Sequence, residues 1–228
     1  MSLDIADMED DFLPNDRSEG DVEADGEDMT AQKVLETLES AWQNEKLCPE
    51  ILPHKMEFVD CMLEQIKYME SNIHRLPKGD IKVDIHKIEL ERIRFIVTSY
   101  LRCRLKKIEQ FASCILEEEA VRDPDSRYLS DSELKFAVEF VENLDTHFDT
   151  VLKEMPWNLQ KLENNEKRIK PNLNSYVFCR TKATVPNVIV RDVFENHEEE
   201  ISLDENTQYI IPYVSIADNV KNDTVQLI

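Results

Sequence analysis

The sequence predicts an α plus small β chain, with an N-terminal helical bundle domain followed by a small C-terminal β-rich domain. Three observations predict it. Apolar residues recur at steps of three and four through four segments between residues 30 and 155. Beyond residue 173 they give way to short β-branched or aromatic runs, SYVFCRT, NVIVRDV, QYIIPYV and TVQLI. Between the two, PWNLQKLENNEKRIKPN is polar and bounded by prolines, as a connection is. The expected division is an acidic tail at 1–29, a helical domain at 30–155, a linker at 156–172 and a β-rich domain at 173–228.

Each element has a local cause. Thr30 is placed to cap a helix carrying Val34, Leu35, Leu38, Ala41 and Trp42 on one face, and Pro49 and Pro53 end it. A second helix follows with Phe58, Val59, Met62, Leu63, Ile66, Met69 and Ile73, and stops at the turn LPKGD. The third is long, about Ile81 to Glu119. Ser130 and Glu133 in SDSE form a capping-box signature for a fourth, which carries Leu134 to Val151 and ends at Met155-Pro156. In the C-terminal part, Pro186-Asn187, Asp204-Glu205-Asn206 and Lys221-Asn222-Asp223 are expected to be the turns.

Charge divides the chain unevenly. The 228 residues carry a formal net charge of −21, and residues 1–29 hold twelve acids against the single base Arg17. So acidic and weakly apolar a stretch cannot offset its ordering entropy by burial, which predicts disorder. No run of apolar residues is long enough to span a membrane, and the N-terminus has no secretory pattern. Cys48, Cys61, Cys103, Cys114 and Cys179 show no zinc spacing and read as reduced, mostly buried thiols. Of three glycines only Gly79 lies in the folded part, so no phosphate-cradling loop is present. The five histidines are scattered without metal-ligand spacing, and an acidic run such as Glu117-Glu118-Glu119 is expected to be a solvated helix end. No catalytic, cofactor-binding or metal-binding residues are expected.

One stretch departs from this acidity. From Arg92 to Lys107 there are six bases and no acid, interleaved with apolar residues. At about 100° per residue, Ile93, Val97, Tyr100, Leu101, Ile108 and Phe111 form one broad apolar arc. Arg92, Arg102 and Lys106 gather elsewhere, together with Phe95. Arg104 falls in the middle of the apolar arc, where an unpaired charge is costly, and so needs a carboxylate or carbonyl partner. A membrane-surface helix would separate its faces cleanly, and this one does not. Cover on two faces is expected, with Arg92, Phe95, Tyr100, Arg102, Arg104 and Lys106 as partner-interface residues. The plainer alternative is a solvated basic face, with the head of Arg104 reaching out of the core. Another is a nucleic-acid-binding module using Arg92, Arg102 and Lys106.

AWQNEKLCPEIL (41–52), HKIELERIRFIVTSYLRCRLKKIEQF (86–111), MPWNLQKL (155–162), KPNLNSYVFCR (170–180) and YVSIADNVKNDTVQLI (213–228) together resemble the SLD-five family of subunits of the eukaryotic GINS complex. RIRFIVTSYLRCRLKKIE is the most specific of these, and Trp157 stands where a second proline is expected. The resemblance implies a nuclear, non-catalytic subunit of a heterotetramer with three sister subunits. It further implies that the tetramer joins the MCM hexamer and the CDC forty-five protein in the replicative helicase, so that direct DNA contact by this chain is weak or absent. In the tail, Ile5, Met8 and Phe12 recur at three- and four-residue steps among acids, the pattern of a short docking helix. The resemblance favours a trimeric replication adaptor as its target, against the alternative of a purely solvating tail.

Overall fold

The computed structural model describes residues 30–75, 77, 80–159, 169–191 and 198–228. The expected acidic tail, with Ile5, Met8 and Phe12, and most of the expected linker lie outside the described residues.

Helix α1 (Ala31–Leu47) begins where the Thr30 hydroxyl accepts the Lys33 N–H at 3.3 Å, and ends as Cys48 turns extended ahead of Pro49. Helix α2 (Met56–Ile73) follows. Helix α3 (Ile81–Val121) is started by the Asp80 carboxylate accepting the Lys82 N–H at 3.0 Å. It bends at Phe111, whose φ of −122° and ψ of 20° interrupt the helical backbone. Helix α4 (Asp131–Lys153) carries the complete capping box of Ser130 and Glu133. It stops two residues before the expected Met155, and α3 runs two residues past the expected Glu119.

Leu38 of α1, Val59 and Met62 of α2, and Ile93, Val97 and Tyr100 of α3 interlock in one apolar core. A second core joins Ile108 and Ile115 of α3 to Ala137 of α4, together with Ile51 and Leu129 from connections. Burying such side chains contributes about 1.5–3 kcal/mol each relative to exposure, against the entropy of ordering them.

The C-terminal part contains β1 (Tyr176–Thr181), β2 (Val185–Arg191), β3 (Glu198–Leu203), β4 (Gln208–Pro212), helix α5 (Tyr213–Lys221) and β5 (Val225–Leu227). Strands β4, β1 and β5 form an antiparallel sheet in that order, and β2 pairs β3 in a separate hairpin. Strand β1 alternates strictly: Val177, Cys179 and Thr181 face inward, and Tyr176, Phe178 and Arg180 outward.

Three readings of this region are corrected. Strand β3 was not expected, because its Glu-rich start has the composition of a loop; pairing with β2 and full burial of Leu203 hold it as a strand. Tyr213-Val214 does not extend β4 but opens α5, whose buried Tyr213, Ile216 and Val220 repeat with helical period behind Pro212. Pro186-Asn187 is not a turn but lies within β2, where the register shifts between Val185 and Val188 and Asn187 has a φ of 57°. The other two expected turns are turns, with Asn206 and Asp223 in left-handed backbone at φ of 59° and 57°.

The two parts share a segment. Cys48 and Leu52, just after α1, belong to the apolar core of the C-terminal part. Around them, the Asn44 side-chain Oδ1 accepts the Leu227 N–H at 2.8 Å, and the Glu50 carboxylate accepts the Tyr213 hydroxyl at 2.7 Å. Glu50 also pairs with Lys221 at 2.8 Å. Burial lowers the Lys221 pKa, but hydrogen bonding and attraction to Glu50 outweigh it and raise the value overall.

Candidate functional site

Arg104 is the largest fully buried side chain among the described residues, with 0% of its surface exposed. All five of its N–H donors are used. Nε donates to Glu133 Oε1 at 2.7 Å and Nη2 to Glu133 Oε2 at 3.0 Å, a bidentate pair. Nη1 donates to Glu45 Oε2 at 3.2 Å and to the Leu52 carbonyl at 2.7 Å, and Nη2 also to the Tyr128 carbonyl at 2.8 Å. Lys107 closes the other side, donating to Glu45 Oε1 at 2.8 Å and the Glu50 carbonyl at 2.7 Å. One guanidinium thus ties α1, the 48–55 connection, α3 and the start of α4 together.

Electrostatics follow the geometry. Burial alone lowers the Arg104 pKa, but the Glu133 hydrogen bond, then Glu45 and Tyr100, outweigh it and raise the value above the ordinary range. Burial likewise works to raise that of Glu133, and its bonds to Arg104 and Ser130 pull it below the usual carboxylate value. Tyr100 is pushed up to about 12 by burial, and its hydroxyl accepts the Lys55 N–H at 3.1 Å. Cys48 is pushed up to about 11, again by burial, which leaves the thiol protonated and inert.

The expected partner-interface residues therefore separate. Tyr100 and Arg104 are closed inside the chain's own core and offer no surface to a partner. Arg92 faces outward but is held by Glu39 at 2.6 Å and Glu89 at 3.4 Å. Phe95 is 60% exposed and rests edge-on against Trp42, with ring centroids 5.8 Å apart. Arg102 and Lys106 are exposed, and neither forms an ion pair among the described residues. Arg94 pairs with Glu70 and Glu91. Of the six bases between residues 92 and 107, four are thus engaged within the chain. That leaves little of the continuous basic surface a nucleic-acid interface needs.

Three residues of the same outward face escaped the sequence reading. Ile81, Ile85 and Ile88 of α3 are 73%, 48% and 70% exposed. Their four- and three-residue steps lead directly into Arg92 and Phe95, and this period was the signal that could have found them. Helix α4 also carries outward apolar residues, Val138, Leu144 and Val151, followed by Met155 and Trp157. Isolated apolar side chains on a surface need no explanation, but rows of them on helix faces mark interaction surfaces. Among the described residues no helix is long and apolar enough to cross a membrane, and no cluster of His, Cys, Asp and Glu is arranged to hold a metal ion.

Comparison with known proteins adds identity to this geometry. Residues 33–152 match the family described as the GINS complex protein helical bundle domain, and residues 171–228 match the DNA replication complex GINS protein SLD5 C-terminus. The chain is 46% identical over 205 residues to the DNA replication complex GINS protein SLD5 of Rattus norvegicus, covering 88% of this chain and 91% of the relative. To the protein of that name from Homo sapiens it is 44% identical over 223 residues, covering 96% and 98%. The Arabidopsis thaliana relative is 32% identical over 224 residues, covering 92% and 98%.

Proposed function

This chain belongs to the SLD5 family of GINS proteins, and from that premise we propose that it is a structural subunit of a heterotetrameric GINS complex serving DNA replication. The observation that carries this reading is a chain whose own core is filled and pinned by Arg104, while α3 presents an apolar row outward and α4 carries further exposed apolar residues. A surface of that kind, in a family named for its complex, serves assembly. The proposal includes a helical unit at 30–155, a connection at 156–172 and a β unit at 173–228.

The finer reading goes further. The tetramer acts in the nucleus, joined to the MCM hexamer and the CDC forty-five protein, with ATP hydrolysis in the MCM ring and no turnover by this chain. The acidic N-terminal segment, through Ile5, Met8 and Phe12, docks a trimeric replication adaptor. The test is co-expression of the full chain with its three sister subunits, followed by native mass spectrometry. A stable complex with one copy of each subunit is expected. A chain that stays monomeric beside them, or that retains ATPase or nuclease activity tracking a point mutation in its own sequence, would sink the reading.

A further inference from the structure

We infer that the outward stripe of α3 is a polar-ended seam that takes a helix from one sister subunit, apolar at one end and acidic at the other, and rejects a second copy of this chain. This rests on the proposed function and names the chemistry of the partner. Ile81, Ile85, Ile88, Arg92, Phe95, Ser99, Arg102 and Lys106 follow one another at alternating steps of four and three. A repeat of 3.5 residues keeps such a row facing one neighbouring helix along its length. From Ile81 to Lys106 the row runs about 37 Å at 1.5 Å per residue, before the bend at Phe111. The opposite side of the same helix is fully used: Leu90, Ile93, Val97, Tyr100 and Arg104 are buried in the chain's own core.

The stripe is not uniform. Its first half is apolar, and Ile81, Ile85 and Ile88 would each gain by burial. In its middle Arg92 is already neutralised by Glu39 and Glu89. Its far end holds Arg102 and Lys106, two exposed cations with no carboxylate of this chain on them among the described residues. Charge complementarity therefore asks for Asp or Glu at that end of the partner and aliphatic residues at the other.

Self-pairing fails on the same pattern. A parallel pair of α3 helices sets Arg102 and Lys106 against their own copies. An antiparallel pair centred on the stripe sets Lys106 on Ile81 and Arg102 on Ile85, stranding two cations on apolar surface. Both arrangements carry a built-in penalty that a differently charged helix avoids.

The experiment uses the full chain co-expressed with its three sister subunits. Ile85→Asp with Ile88→Asp should lose one subunit from the complex in native mass spectrometry. Ile88→Ser alone should weaken the same contact in smaller measure. Arg102→Glu with Lys106→Glu should weaken assembly at least tenfold at low salt and flatten its salt dependence. A photo-crosslinking residue placed at Ile88 and, separately, at Lys106 should label one helix of one subunit, near aliphatic residues from the first position and within a turn of an acid from the second. Full assembly by every variant, or crosslinks from this chain to its own copy, would overturn the seam while leaving the proposed function standing. Failure of the unmodified chain to assemble would remove both.

Discussion

Replacing Arg104 by alanine isolates what the buried cluster contributes. The side chain is fully enclosed, and its removal leaves Glu45 and Glu133 buried, each keeping only part of its former company: Lys107 and the Leu52 N–H on Glu45, and the Ser130 N–H on Glu133. The Leu52 carbonyl loses its Arg104 donor as well, and the Tyr128 carbonyl keeps only the His54 N–H at 3.1 Å. Breaking one side of a buried ion pair costs about 3–5 kcal/mol, and the shared geometry here places Arg104→Ala in that range. Arg104→Lys keeps the charge but loses the bidentate fork on Glu133, so it should fall between the wild type and alanine. The assay is thermal and urea unfolding at fixed concentration in the assembled complex, so that aggregation of an isolated chain does not mask the effect. A double-mutant cycle with Glu133→Ala then measures the coupling directly. An Arg104→Ala loss below about 1 kcal/mol, the range of exposed pairs, would refute the view that this guanidinium is desolvated and fully bonded.

Other outcomes follow from the same contacts. Glu133 has a depressed folded pKa, so its contribution is fully present above the unfolded glutamate value of about 4.3 and is lost as pH falls through the folded value; Glu133→Gln should remove that acid-side slope in a pH-stability profile. Tyr213→Phe removes the hydroxyl bond to Glu50 and should cost about 1.5–3 kcal/mol, read as a lower urea midpoint; an unchanged midpoint would show that Lys221 alone satisfies Glu50. Expressed alone, the chain should aggregate or melt broadly and be rescued by co-expression, and a sharply melting soluble monomer at micromolar concentration would contradict the exposed row on α3 as an assembly surface. Deleting residues 1–20 should leave the tetramer intact and abolish adaptor binding in a pull-down, whereas retained binding would dismiss the docking role of Ile5, Met8 and Phe12.

The four helices of the bundle were readable from local signals. Thr30 and the Ser130–Glu133 box mark starts, prolines mark ends, and the three-four spacing of Val59, Met62 and Ile66 fixes the buried face. Arg104 could be marked as needing a partner from its position in the apolar arc. Which partner was beyond reach, since Glu45 lies 59 residues away and Glu133 29, and only tertiary packing brings them together. The C-terminal part was less legible for the same reason. The Glu-rich β3 is a strand because β2 supplies its ladder, and α5 is too short for its period to stand out from the strand before it. The stripe of Ile81, Ile85 and Ile88 was less legible because it lies ahead of the change of charge at Arg92, among the mixed charges of Asp84, Lys87 and Glu89.

The sharing of Cys48 and Leu52 between the two parts of the fold has a consequence for the timing of synthesis. Both residues leave the ribosome with the first helices, yet the core that covers them is built from strands much later in the chain. Val177 lies about 125 residues beyond Leu52, so at roughly 5–20 residues per second it is made roughly 6–25 s afterwards, and Leu227 later still. Within that interval α2, α3 and α4 are themselves made, α4 being finished only at Lys153, while Asn44, Glu50 and Leu52 wait at one end without the strands and the α5 helix that will cover them. A nascent chain paused in that interval is a substrate for chaperones at one defined end of its bundle.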